Sequence, residues 1–254
     1  MNITLNSIPL TTLDPRIILL DVEESTPEIE VTAAPRAVVS GHTIIHRRRT
    51  SLRLRVHLEI HEPDMAQRKA ICTRIASWAA PGGVLESEDR PGQVIEVTCE
   101  NIPVITSAMH WTQPLTVDFI ALDFPYWRAQ TAVVVNSPAA TAHTLTICSA
   151  GDATWAPLEI QIRCVGAAPC QTINMRSPVS YYLLEGLNLM PGDLLEIGEE
   201  KGIVYIRSSA GTLLHCRAPE SSDRMVVVSG LETEINIIAD SEIEVSIGVR
   251  GAIY

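Results

Sequence analysis

Aromatic side chains are scarce in this chain: Phe, Trp and Tyr together make up 4% of 254 residues. Sugar sites usually stack a flat ring against the ligand, so the scarcity counts against a dedicated carbohydrate-binding module. Long hydrophobic runs are also missing, and nothing approaches the ~18 apolar residues of a membrane span. The opening Met1-Asn2-Ile3-Thr4-Leu5 lacks the charged start and apolar block of a secretory signal, which predicts a chain made and folded in a cytoplasm. The six cysteines, Cys72, Cys99, Cys148, Cys164, Cys170 and Cys216, form no CxxC pair and have no histidine at zinc-finger spacing. They are expected to be reduced and mostly buried, as small core residues.

Catalytic motifs are absent as well. The sequence has no Gly-x-Ser-x-Gly elbow, phosphate-cradling glycine loop, dinucleotide fingerprint or His-Glu-x-x-His helix. His57-Leu58-Glu59-Ile60-His61 is the nearest metal-like cluster, but the two-residue period of a strand sets its three polar groups in one solvated row. The chain is therefore read as a non-enzyme with no catalytic group, no cofactor and no metal. A net charge of −11 keeps it soluble and argues against specific nucleic-acid binding.

What is present is alternation. Thr50 to His61 sets Leu52, Leu54, Val56, Leu58 and Ile60 against Ser51, Arg53, Arg55, His57, Glu59 and His61, the pattern of a long strand with one wet face. Ile71, Ile75, Trp78 and Ala79 then recur at helical spacing, which predicts one helix over about residues 63–80, with Pro63 at a first helical position and Pro81-Gly82-Gly83 as the stop. Gln93 to Glu100 and Leu115 to Ala121 alternate again. Beyond Asp123-Phe124-Pro125-Tyr126-Trp127 helical periodicity disappears. Short apolar alternations follow: Leu158-Ile160-Ile162, Leu187-Leu189, Leu195-Ile197, Val204-Ile206, Ile235-Ile237 and Ile243-Val245-Ile247-Val249. Turn residues Pro191-Gly192-Asp193 and Glu200-Lys201-Gly202 fall among them. The expected fold class is mainly β: an α+β domain with one helix at 1–132 and an antiparallel β-sandwich at 133–254, with Asn136-Ser137-Pro138-Ala139-Ala140 as linker or first turn.

His46-Arg47-Arg48-Arg49, with Arg53 and Arg55 after it, is the one concentrated positive charge. It reads either as an exposed, salt-bridged edge that discourages aggregation or as a contact surface for another subunit or for passing nucleic acid. The subunit-interface reading selects Arg49, Arg53, Arg55 and His57.

The order of these elements resembles one family. Ile3-Thr4-Leu5-Asn6-Ser7-Ile8-Pro9-Leu10 is similar to the start of siphophage distal tail proteins. The Arg-rich strand, the helix ending in Ile75-Ala76-Ser77-Trp78, a Gly-rich turn, a strand near Ile95 and the run into Asp123-Phe124-Pro125-Tyr126-Trp127 resemble the family's first domain. Gly151-Asp152-Ala153-Thr154-Trp155-Ala156-Pro157-Leu158-Glu159-Ile160 resembles a turn and Pro-containing strand of its galectin-like sandwich. Glu234 to Ile238 and Glu242 to Arg250 are similar to its closing hairpin. One departure is plain: Ser40-Gly41-His42 stands where the family often has Gly-Arg-x-Gly. The resemblance implies a virion structural protein of a phage or prophage tail tip, synthesised in the host cytoplasm. It implies a first domain that assembles as a homo-hexameric ring between the tail tube protein and the tail-tip hub or baseplate, with a receptor-binding protein as a further partner and no membrane insertion. A carbohydrate-binding module touching the host surface is the alternative.

A chain of this size that matures in a reducing compartment needs no covalent staples. Thiol titration after denaturation without reductant is expected to count all six cysteines, and a count of two or fewer would refute it.

Overall fold

A computed structural model describes residues 2–25, 28–35, 42–102, 115–122, 124–151, 153, 155–198, 204–207, 213–216, 222 and 224–253, with backbone alone at 28, 34–35, 42–49 and 213–216. The described residues form two compact units, Met1–Trp127 and Arg128–Tyr254, mainly of antiparallel strands with one α-helix.

In the first unit, β1 (Ile3–Leu5) and β2 (Ile8–Pro9) make a tight hairpin. Asn6 and Ser7 both take positive φ, 50° and 64°, as a two-residue turn between right-twisted strands requires. The Asn6 amide also donates to Gly82 O and accepts from Val84 N. Gly83 (φ +124°) lies so close that any Cβ there would strike the Asn6 side chain. β3 (Ile17–Glu24) and β4 (Glu28–Pro35) run in turn along the 19-residue β5 (His42–Ile60). The predicted alternation holds over the last half of β5, where Leu52, Leu54, Val56, Leu58 and Ile60 are all buried. That strand nevertheless begins eight residues before Thr50, because pairing with β4 extends it through sequence that does not alternate.

The helix α1 covers Met65–Ala79. Its N-cap is Asp64, whose carboxylate accepts from Gln67 N at 2.9 Å, so Pro63 lies outside the helix and is not its first residue. Ile71, Ile75, Trp78 and Ala79 are buried against the sheet, and Trp78 meets Phe119 edge to face at 6.1 Å. β6 (Gly83–Ser87), β7 (Gln93–Asn101) and β8 (Leu115–Ala121) complete the sheet in the order β2-β1-β6-β7-β8-β5-β3.

A buried ion network anchors the start of the helix. Asp14, 3% exposed, is bonded by Arg16 (Nε 2.8 Å) and Arg74 (Nη1 2.8 Å), and Arg16 continues to Glu62 and to Gln67. These contacts tie the loop before β3 to the helix N-terminus and to its third turn.

The second unit begins within β9 (Trp127–Ala129), which leads to β10 (Val133–Cys148), and then come β11 (Trp155–Cys164), β12 (Ile173–Arg176), β13 (Tyr181–Leu184), β14 (Leu194–Ile197), β15 (Val204–Arg207), β16 (Leu213–Cys216), β17 (Val226–Val228), β18 (Glu232–Val249) and β19 (Ala252–Ile253). β10 pairs with β18 from Val133↔Val249 to Cys148↔Glu232. On its other side β18 pairs with β11 over residues 243–249 and with β12 over residues 236–239. The two stretches therefore belong to two half-sheets, and no helix is described in this unit to cover either one. They cover each other: Leu145, Met175, Tyr182 and Ile235 of one half join Ile160, Leu195, Ile206 and Val245 of the other in a single core. At the bend, Val165 N and Gly166 N both donate to Glu242 O at 3.0 Å and Ser241 Oγ donates to Ala168 O. A Cβ at Gly166 would lie 2.3 Å from Ser241 Oγ.

Three expectations for this unit need correcting. Asn136 to Ala140 is no linker but lies within β10, at a pair of register shifts where Pro138, having no N–H to give a ladder, is tolerated. His143, buried, braces the bulge: its ring nitrogens meet Ser137 Oγ at 2.9 Å and Ala140 O at 3.0 Å. The two terminal alternating segments are one 18-residue strand, not a hairpin, since Asp240-Ser241 keeps the alternation in phase. Leu187 and Leu189 are buried but form no strand, only a bridge from Leu189 to Cys170. The turn at Pro191-Gly192-Asp193 is present, with Gly192 at φ 93°, while Glu200-Lys201-Gly202 lies outside the described residues.

Five cysteines are free thiols; Cys72, Cys164 and Cys170 are buried, Cys99 is half-buried and Cys148 is exposed, and the Cys216 side chain lies outside the described set. Burial pushes the Cys72 thiol up to about 11 and Cys170 up to about 12, which keeps both protonated and inert.

Hydrogen bonding and charge from Arg16, opposed by burial, hold the Asp14 carboxyl well below its ordinary 3.8. The folded state therefore binds this proton more weakly than the unfolded chain does. The resulting stability is present above pH ~4 and is lost as pH falls through the depressed value. Asp14→Asn is expected to cost about 2 kcal/mol at pH 7 in denaturant melts, with the gap from wild type closing in acid; an equal gap at pH 7 and pH 2 would refute the assignment.

Candidate functional site

Strand period decides what the polar side of β5 can do. With Leu52, Leu54, Val56 and Leu58 turned into the core, Arg53, Arg55 and His57 must share the opposite face. Pairing then places acids beside them. Glu23 on β3 lies across from Arg55, and Asp118 on β8 lies across from Arg55 on the other side, with Asn101 on β7 beyond Asp118. Arg55 Nε bonds Asp118 Oδ1 at 2.8 Å and its Nη1 approaches Glu23 Oε2 at 3.9 Å. His57 Nε2 reaches the same Glu23 oxygen at 3.4 Å, and Arg53 Nη2 lies 3.5 Å from Glu100 Oε1. Asp118 raises the Arg55 pKa further above its ordinary value, so its charge is permanent.

The result is a mixed-charge face across four strands, with a pocket of about 130 Å³ between Glu23, Arg53, Arg55, Glu100 and Asp118. Of the four residues selected from sequence, Arg53, Arg55 and His57 are brought together here. Arg49 pairs through its backbone with Ile29, and its side chain lies outside the described residues, as do those of His46, Arg47 and Arg48. Sequence reading missed the acidic partners Glu23, Glu100 and Asp118. Their strands are legible, but which residue falls beside which is set by register.

This face is suited to binding another charged surface. Its ion pairs are at least half exposed on the arginine side and can exchange partners at little cost, as exposed pairs do. No group in it is poised for covalent chemistry. Among the described residues, no cluster of three or more His, Cys, Asp or Glu is arranged to hold a metal; His57 goes to Glu23 while His61 contacts Glu59 at 3.1 Å. The Ser137–His143 contact is spent on the β10 bulge, and its second ring nitrogen meets a backbone carbonyl, not an orienting carboxylate. Trp155, at the start of β11, is 43% exposed, so it is no core residue. No described helix is long and apolar enough to cross a membrane.

Neither a protein-family model nor a curated protein sequence matches the chain. Its fold is nevertheless one already seen in a phage protein, matched essentially end to end. That protein is SPP1 Dit (gp 19.1), presented as a paradigm of the hub adsorption apparatus in phages infecting Gram-positive bacteria; the match covers 98% of each chain with a TM-score of 0.65 and 13% identity. Chains of the phage P2 baseplate in its activated conformation with Ca (7% identity, TM-score 0.47, 93% and 90% covered) and with Sr (8%, 0.46, 92% and 90%) are also similar. The mainly β architecture with one helix expected from the alternation of the sequence is the fold observed.

Because the charges of the β5 face are exposed, folding should not need them. The triple variant Arg53→Gln, Arg55→Gln, His57→Gln is expected to keep its circular dichroism and to melt within roughly 3 °C of wild type. A drop of about 10 °C would show that the face holds the sheet together.

Proposed function

We propose that this chain is a structural protein of a phage or prophage tail tip, a ring-forming adaptor that joins the tail tube to the tail-tip hub and baseplate. The observation that carries the reading is the end-to-end fold similarity to SPP1 Dit, which extends over both units and not one shared domain. Residues 1–132 supply the ring and residues 133–254 form the sandwich that projects from it. The partners are five further copies of this chain, the tail tube protein, the tail-tip hub and a receptor-binding protein. The work is that of a connector, and no step of covalent chemistry belongs to it.

Assembly faces an electrostatic obstacle, since every chain adds a charge of −11. The face built on Arg53, Arg55 and His57, with Arg49 further along the same strand, is the contact that offsets it. Its arginines exchange the exposed acids Glu23 and Glu100 for acids of the neighbouring copy while Arg55 keeps the 20%-exposed Asp118, so local complementarity is gained without stranding a buried charge. Lining the ring lumen is the competing placement; there the arginines would hold passing DNA through its phosphates.

Light scattering of wild type and of Arg53→Glu/Arg55→Glu at low and moderate salt tests this. A wild-type mass of six chains that collapses in the variant is the expected outcome. Intact rings with unchanged salt dependence would remove the face from the contact, and a wild type that stays monomeric while binding glycans on an array would favour the carbohydrate-binding alternative.

A further inference from the structure

The outer strand β10 lacks the usual protection of a sheet edge. Among the described residues its only strand partner is β18, so one whole side of its backbone is unpaired. Such edges are normally guarded by a charge, a proline or a bulge. β10 is unusual in that, of the described strands longer than four residues, it alone carries no Asp, Glu, Lys or Arg. Its bulge and Pro138 guard the middle and leave Val133-Val134-Val135-Asn136-Ser137 bare.

This stretch is uncharged two strands deep. Its partners on β18 are Val249, Gly248, Ile247, Ser246 and Val245, whereas the far half of β10 lies beside Glu232 and Glu234. Val133 and Val134 are 49% and 55% exposed, on successive positions that face opposite sides of the sheet. A β-branched, uncharged edge of this kind pairs readily with another strand.

We propose that residues 133–137 are a self-pairing edge, at which β10 of one copy joins β10 of a second copy antiparallel about a two-fold axis near Val135. The charge distribution favours a second copy as the occupant: two chains of −11 can bring backbones together without local repulsion along a strip free of acids on both sides, and this strip meets that condition with its own copy. In that register Val135 faces Val135, while Val134 faces Asn136 and Val133 faces Ser137 of the other copy. Pro138, with no N–H, ends the added ladder. Five paired residues bury little, so the contact is weak and shows as association that grows with protein concentration. The inference stands independently of the ring.

Sedimentation of the full chain over a range of concentrations, with Val134→Glu and Val134→Lys beside wild type, tests it. Both substitutions replace an exposed side chain and should leave circular dichroism unchanged. Each is expected to halve the mass of the largest wild-type species, and amide exchange at residues 133–137 should slow with concentration in wild type alone. Arg53→Glu/Arg55→Glu, which removes the ring, should leave this pairing in place, so failure of one reading is distinguishable from failure of the other. Equal masses for all three proteins would overturn the proposal. So would an Lys variant that associates more strongly than wild type, because it would point to an acidic surface and not a second uncharged strand.

Discussion

The second unit depends on one strand keeping a single face dry over its whole length. Every odd residue of β18 from Thr233 to Val249 is buried, through Asp240-Ser241 at the bend. Nine inward positions in phase let the same strand serve a half-sheet with β12 at one end and another with β11 at the other. A slip of one residue at the bend would turn half of the stripe to solvent, so the small buried Ser241, bonded to Ala168 O, matters as much as the larger apolar residues around it. Gly166, Ser241 and the His143-braced bulge in β10 are three local means to one end: two long strands bend together without losing their inward face.

The first unit solves the same problem with a helix. β5 buries Leu52 to Ile60 beneath α1, whose Ile71, Ile75 and Trp78 fill the layer above, and the Asp14–Arg16–Glu62 network holds the helix start against the loop before β3. Burying Asp14 is tolerable because two guanidiniums approach it from partly solvated positions, so neither cation is stranded. Trp127, at the end of this unit, donates to Glu24 and lies under Arg90 at 5.2 Å, which anchors the unit's last residue to the far end of β3.

Charge is distributed by the same strand logic. The inward faces of β5 and β8 take none, so arginines and acids of adjacent strands meet on the wet faces, as Glu23, Arg55 and Asp118 do. Over β10 the wet face and the open edge carry none at all. The molecule thereby offers two different kinds of surface: one of exchangeable ion pairs on β5, and one of bare backbone and valine on β10.

By itself the sequence determined the period of its elements: the alternation of Leu52 to Ile60 and of Ile243 to Val249, the helical spacing of Ile71, Ile75 and Trp78, and hence a mainly β chain with one helix. Period is a local property, set by which side chains must leave water, and it can be read without knowing any partner. Tertiary structure decided what depends on pairing. It extended β5 back to His42, carried β10 through Pro138 and fused Glu232 to Val249 into one strand, because ladder hydrogen bonds from a neighbour outweigh weak local signals for a turn. It also decided the site, since the arginines of β5 were visible in the sequence, but Glu23, Glu100 and Asp118 are 30 or more residues away and reach them only through register.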